Sequence, residues 1–84
     1  MPTGRIVYIT VLESLIIKLI ANGAASKEIA CTIDRSFPTV EEHIRRAFAK
    51  LNARSRPHLI SMAWCCGVLR RTDIEGVNVE VVVA

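Results

Sequence analysis

Residues 36–51 read SFPTVEEHIRRAFAKL, and the fold turns on how this stretch is read. Ser36 suits a helix N-cap, because its hydroxyl can accept from a free N–H of the first turn. Pro38 belongs in that turn, where a missing N–H costs little. Val40, Ile44, Ala47 and Leu51 recur at helical spacing and predict one buried stripe. Thr39, Glu41, Glu42, Arg45, Arg46 and Lys50 fall on the other face. A helix of this kind packs on one side and presents a long polar edge able to meet phosphates or base edges. The stretch before it, SKEIACTI from Ser26 to Ile33, is separated only by Asp34, Arg35 and Ser36. Two helices joined by so tight a turn form a helix-turn-helix, with the second as recognition helix.

Outward from this pair, further start and stop signals appear. Ser26 is expected to cap the first helix of the pair, with Ile29, Ala30 and Ile33 inward and Lys27 at its exposed start. A lysine beside a helix N-terminus is a ready phosphate contact, although an ordinary surface lysine reads the same way. Upstream, Thr10 and Glu13 spell a capping box and start a helix that runs to about Asn22 and stops at Gly23. Leu12, Leu15, Ile16, Leu19 and Ile20 form its apolar arc. Ile17 lies off that arc, so this helix is expected to touch more than one neighbour. Downstream, Asn52 tolerates the left-handed conformation that ends a helix. Ser55 caps a last helix over residues 56–66, with Pro57 in its first turn and Gly67 closing it. Leu59, Ile60, Met62, Ala63, Trp64 and Cys66 are more apolar side chains than one face needs.

The ends look different. Residues 1–4 are expected to be loose, and residues 5–9 (RIVYI) read as a short strand or an extended lead-in. Residues 70–76 are polar and turn-like. Residues 77–83 (VNVEVVV) are the clearest strand signal, and an unpaired strand of this character is an aggregation hazard. Residues 5–9 of this chain, or of a second copy, are the candidate partner. The expected organisation is a lead-in at 1–8, a domain at 9–69 and a C-terminal extension at 70–84.

Composition narrows the class. A chain of 84 residues is one small domain, burying only about 60% of its unfolded surface. It is 51% hydrophobic with 5% aromatics, which suits a helical core of Ile, Leu, Val and Ala and is too apolar for disorder. The net charge of +3 would alone indicate no more than a solvated surface. Its distribution says more, because Arg35, Arg45, Arg46, Lys50, Arg54 and Arg56 cluster against only Glu41 and Glu42. A local basic stripe is the electrostatic mark of nucleic-acid binding. Cys31, Cys65 and Cys66 form no C-x-x-C, and His43 and His58 do not stand at ligand spacing around them. The expectation is no metal and no cofactor, with buried free thiols in a reducing cytoplasm. No signal peptide or membrane-spanning run is read.

Taken together, Ile9-Thr10, Glu13, Leu19 through Gly23, Ser26 through Ala30, Thr39-Val40 with His43, Lys50-Leu51 and Arg54-Ser55-Arg56 resemble the LuxR-type (GerE-like) helix-turn-helix domain over residues 9–69. The resemblance implies an all-α, four-helix bundle, to which the β-branched terminal runs could add short β-strands. It implies a third helix that enters the major groove of double-stranded DNA, a fourth that often dimerises, and a role in regulating transcription, with a regulator protein or RNA polymerase as protein partner. By position, Glu41, Glu42, Arg45 and Arg46 would read bases. Lys27, Thr39, His43, Lys50, Arg54 and Arg56 would meet phosphates, with a packed structural imidazole the alternative for His43. Leu59, Ile60, Ala63 and Trp64 would form the dimer interface.

Departures from the family pattern matter too. Glutamates stand at 41 and 42 where a basic or neutral side chain is usual, and Leu12 replaces the arginine of an Arg-Glu pair. Negative charge there weakens counterion-driven binding, yet a glutamate can accept from cytosine N4. No receiver or ligand-binding domain precedes the module in this sequence, so a stand-alone, constitutive, abundance-controlled or partner-controlled regulator is expected. The competing reading is a small protein-interaction module that antagonises a larger LuxR-type regulator by pairing with it. Catalysis is not expected: no acid pair, nucleophile–base arrangement or glycine-rich phosphate loop is present, and helix packing accounts for Glu28, Cys31 and His43.

Overall fold

A computed structural model describes residues 6–83. Residues 1–4, Arg5 of the expected lead-in strand and Ala84 lie outside the described residues. The element order is α1 (Val11–Ala21), α2 (Ser26–Ile33), α3 (Phe37–Leu51) and α4 (Arg56–Cys65), then a single 3₁₀ turn at Arg71–Asp73. The all-α expectation holds, and each helix begins and ends for a local chemical reason.

At the start of α1, the Thr10 hydroxyl accepts from the Glu13 N–H at 3.0 Å and the Glu13 carboxylate accepts from the Thr10 N–H at 2.9 Å. That is the reciprocal capping box. Its end is a Schellman arrangement: Gly23 N–H donates to Ile20 and Ala24 N–H to Leu19, with Gly23 at φ 91°. The α2 cap differs from expectation. Ala25 is the N-cap, its N–H donating to the Glu28 carboxylate at 3.0 Å, and Ser26 is the first helical residue. Its hydroxyl, only 8% exposed with the rest of the residue, faces Arg56. α2 ends on Asp34 in the left-handed region at φ 54°, which turns the chain sharply into α3. Asp and Asn are the side chains that tolerate that conformation best after glycine. Ser36 caps α3 through the Thr39 N–H, Asn52 ends it at φ 54°, and Ser55 caps α4 through the His58 N–H.

The core has two centres. Ile16, Ile29, Val40 and Ile44 form one, between α1, α2 and the first half of α3. Ile17, Ala47, Leu51, Leu59, Ala63 and Leu69 form the other, between α1, the second half of α3 and α4. Adjacent residues of α1 thus face different clusters, so α1 does serve more than one neighbour. Its buried residues are Glu13, Ile16 and Ile17, whereas Leu15 of the expected arc is 41% exposed. The stripe sits further round because an acidic side chain lies inside it. The buried stripe of α3 is the one expected, Val40, Ile44, Ala47 and Leu51. Full burial of each large side chain in these clusters contributes about 1.5–3 kcal/mol, so α3 is held firmly along its length.

Three expectations are corrected. Cys31, Cys65 and Cys66 are all exposed and free, not buried. The α4 face that points inward runs through Leu59 and Ala63. Where its next turn would fall, the chain folds back and Leu69 fills the place, with the N–H groups of Val68 and Leu69 on the Ala63 carbonyl. Second, no strand forms among the described residues. The 77–83 run is irregular and its valines are exposed, and residues 6–9 pair with no strand either. High β-propensity does not make a strand without a ladder to join. Third, Leu59 and Ala63 are 0% exposed inside the protomer. They hold α4 to the core and have no surface left to offer a second subunit.

Candidate nucleic-acid interface

With its apolar stripe locked down, α3 turns the opposite edge outward. Arg45 and Arg46 are exposed, while Thr39, Glu41, Glu42 and His43 are half-buried along the same helix. Pro38, Thr39, Glu42, His43 and Arg46 line one shallow concavity along its first three turns. The N-terminal end adds hydroxyls, with Ser36 Oγ and Thr39 Oγ1 2.8 Å apart. Lys27 stands exposed in the first turn of α2. Arg54 is exposed at the α3–α4 turn, where its N–H donates to His58 Nδ1 at 3.0 Å.

The charged edge is internally paired. Glu42 Oε2 accepts from Arg45 Nη1, and Glu42 Oε1 lies 3.4 Å from Arg46 Nε. Arg56 Nη2 donates to the Ser26 hydroxyl at 2.6 Å and lies 4.0 Å from Glu41 Oε1. Arg56 thereby ties the start of α2 to α3 and α4 across the tight turn, and so helps set the angle at which α3 is offered.

Lys50 has a different use from the expected phosphate contact. Its ammonium donates to Glu13 Oε1 at 2.7 Å and to the Tyr8 carbonyl at 2.9 Å. Glu13 is 2% exposed. Burial pushes its carboxyl up, but the Lys50 hydrogen bond, the Thr10 N–H and the Lys50 charge together hold it below the ordinary glutamate value. Sequence reasoning assigned Glu13 to the cap and Lys50 to the outer face. The pair was missed because it joins residues 37 positions apart. The one signal was a carboxylate sitting between inward-facing isoleucines.

The expected dimer residues separate into two groups. Leu59 and Ala63 belong to the core, whereas Ile60 is half-buried and Trp64, one turn further on, is 44% exposed. A second missed contact anchors the C-terminal extension to α1. Asn22 Nδ2 donates to the Asp73 carbonyl at 2.8 Å, its Oδ1 accepts from the Glu75 N–H at 2.7 Å, and Lys18 pairs with Asp73 at 3.5 Å.

Against known proteins, residues 9–63 match the family model of bacterial regulatory proteins of the luxR family. The chain belongs to the LuxR family. That match includes α1, α2 and α3 entire and most of α4, so the helix-turn-helix described above is the family's own. The family is described as one of bacterial regulatory proteins. Among curated relatives, the chain is 38% identical over 56 residues to the "Monoamine regulon transcriptional regulator" of Klebsiella aerogenes, covering 67% of this chain and 25% of the relative. It is 36% identical over 59 residues to the "Probable transcriptional regulator ycf29" of Porphyra purpurea, covering 70% and 28%. It is 35% identical over 64 residues to the "Transcriptional regulatory protein FixJ" of Rhizobium meliloti (strain 1021), covering 76% and 31%. The chain therefore spans about a quarter to a third of the length of these relatives. No solved structure gives a significant match. Among the described residues, no helix is long and apolar enough to cross a membrane.

Proposed function

We propose that this LuxR-family domain binds double-stranded DNA through α3 and regulates transcription. The observation that carries the reading is the division of α3. Val40, Ile44, Ala47 and Leu51 fix it to both core clusters, and the edge bearing Glu41, Glu42, Arg45 and Arg46 faces solvent. A rigid helix presenting such an edge fits the major groove, where arginine can bond guanine in bidentate fashion and glutamate can accept from cytosine. Lys27, Thr39, His43, Arg54 and Arg56 lie beside it as phosphate contacts that set register. Lys50 acts indirectly, by holding the start of α1 against the end of α3. The relatives' names as transcriptional regulators support the regulatory role. Ile60 and Trp64 on α4 form the surface for a two-fold partner, which would place two recognition helices about one helical turn apart on the duplex. This role puts the protein in the compartment that holds the DNA, the cytoplasm.

Selection from a random duplex pool, followed by binding at two salt concentrations, tests this reading. An enriched site whose affinity falls steeply with salt is the expected result. Absence of binding to any duplex at low salt overturns it.

A second reading has its own observation: Val79, Val81, Val82 and Val83 are exposed at the end of the extension, and Trp64 is exposed on α4. In that reading the chain pairs with a larger LuxR-type regulator and antagonises it. Loss of regulator capture on deleting residues 77–84, with no DNA binding by the intact chain, would select it.

A further inference from the structure

The two glutamates of α3 engage the arginines nearest to them. Glu42 holds both Arg45 and Arg46, and Glu41 lies within ion-pair distance of Arg56. These pairs are open to solvent: the side chains of Arg45 and Arg46 are 72% and 59% exposed and that of Glu42 41%. Exposed ion pairs are weak and easily exchanged for another anion. Each arginine that turns to a phosphate must leave its carboxylate, and the carboxylate then stands unpaired beside the negative duplex.

We infer that Glu42, assisted by Glu41, is a specificity-determining counterion: it competes with DNA phosphate for Arg45 and Arg46 and releases them without penalty only where a G·C pair lies beneath the first turns of α3. The inference rests on the DNA-binding reading above and deepens it. On an arbitrary sequence, the arginines gain phosphates while Glu42 loses its partners and meets like charge. On a G·C pair both sides are satisfied. An arginine donates to guanine O6 and N7, and Glu42 accepts from the cytosine N4 amino group. Glu42, Arg45 and Arg46 lie within about one turn of the helix, so one or two adjacent base pairs can meet all three. The glutamates thus lower affinity for random duplex more than for the matched site, and the count of 11 lysines and arginines overstates the cations available to DNA.

The test uses the intact chain and its E42Q and E41Q variants, with circular dichroism confirming that each stays folded. Binding to labelled random duplex, and to the duplex enriched by selection, is measured by anisotropy between about 0.05 and 0.2 M salt. E42Q is expected to bind random duplex about eightfold more tightly at about 0.1 M salt, the worth of one added phosphate contact at a slope of about 0.9. Its salt dependence should steepen by about one contact, and its preference for the enriched site should shrink. E41Q should act in the same direction through Arg56, and more weakly. If the wild type prefers its site and E42Q leaves both the random-duplex affinity and the preference unchanged, the inference is overturned while DNA binding stands. If neither protein binds any duplex, both fall together.

Discussion

The ammonium of Lys50, at the end of α3, lies 2.7 Å from the carboxylate of Glu13, in the first turn of α1. Glu13 is buried and Lys50 is about one-third exposed, so the pair closes the seam between the two helices from its outer side. Removing one partner leaves the other's charge short of hydrogen bonds in a dry place. Lys50→Met should therefore destabilise the domain by about 1–3 kcal/mol, read as a lower urea midpoint with unchanged slope. If Lys50 served phosphates alone, stability would be unaffected and only DNA affinity would drop.

The same pair dictates a response to acid. The Glu13 carboxyl is held below its ordinary value, so its charged form favours the folded state. That contribution is complete above the ordinary glutamate value of 4.5 and is lost as pH falls through it toward the lowered value. Asp73 acts in the same direction, because the Arg70 N–H outweighs partial burial and Lys18 adds attraction. The wild type should lose stability on going from neutral pH to about pH 3.5, and Glu13→Gln should lose less over that interval. Parallel urea titrations at the two pH values check it. An equal loss in both proteins would remove Glu13 from the account.

Two substitutions at the interface should have different signatures. Lys27→Ala removes a phosphate contact, so binding should weaken on all sequences and the salt slope should flatten by about one contact. Arg45→Ala removes a base contact and should cost roughly 1–3 kcal/mol on the enriched site alone, relaxing preference at one position. The relevant measurement is a binding profile over single-base variants of that site. A uniform effect of Arg45→Ala would make it a phosphate residue.

Asn22 fastens the extension to α1 through the Asp73 carbonyl and the Glu75 N–H. Asn22→Ala should cost about 1–2 kcal/mol and raise amide exchange at residues 70–76. Deletion of residues 77–83, whose valines touch little of the core, should leave the melting temperature within a degree or two. A large drop on deletion would mean the tail packs more firmly than its exposure indicates.

Most of the fold was legible because its signals are local. Thr10 with Glu13, Ser36, Ser55, Gly23 and Asn52 act on backbone groups within five residues of themselves, and the α3 stripe repeats within one helix. The VNVEVVV run misled because strand formation needs a partner outside the run, and none is present among the described residues. Ser26 misled because Ala25 and Glu28 could cap the same helix, leaving its hydroxyl for Arg56. Ile17, off the main arc, announced a second neighbour for α1, but which residues it packs against was settled only by folding.

By itself, the order of residues determined four helices, most of their ends and the inward face of α3, since each follows from spacing and capping chemistry along a short stretch of chain; membership of the LuxR family came from likeness to other sequences. Only the tertiary structure decided what the charges do. A lysine reads alike whether its partner is a phosphate or a carboxylate brought close by folding, and it is packing that delivered Glu13 to Lys50, Ser26 to Arg56 and Asn22 to the extension. The same packing took Leu59 and Ala63 out of any subunit contact, because a side chain that fills the core has no surface left to share.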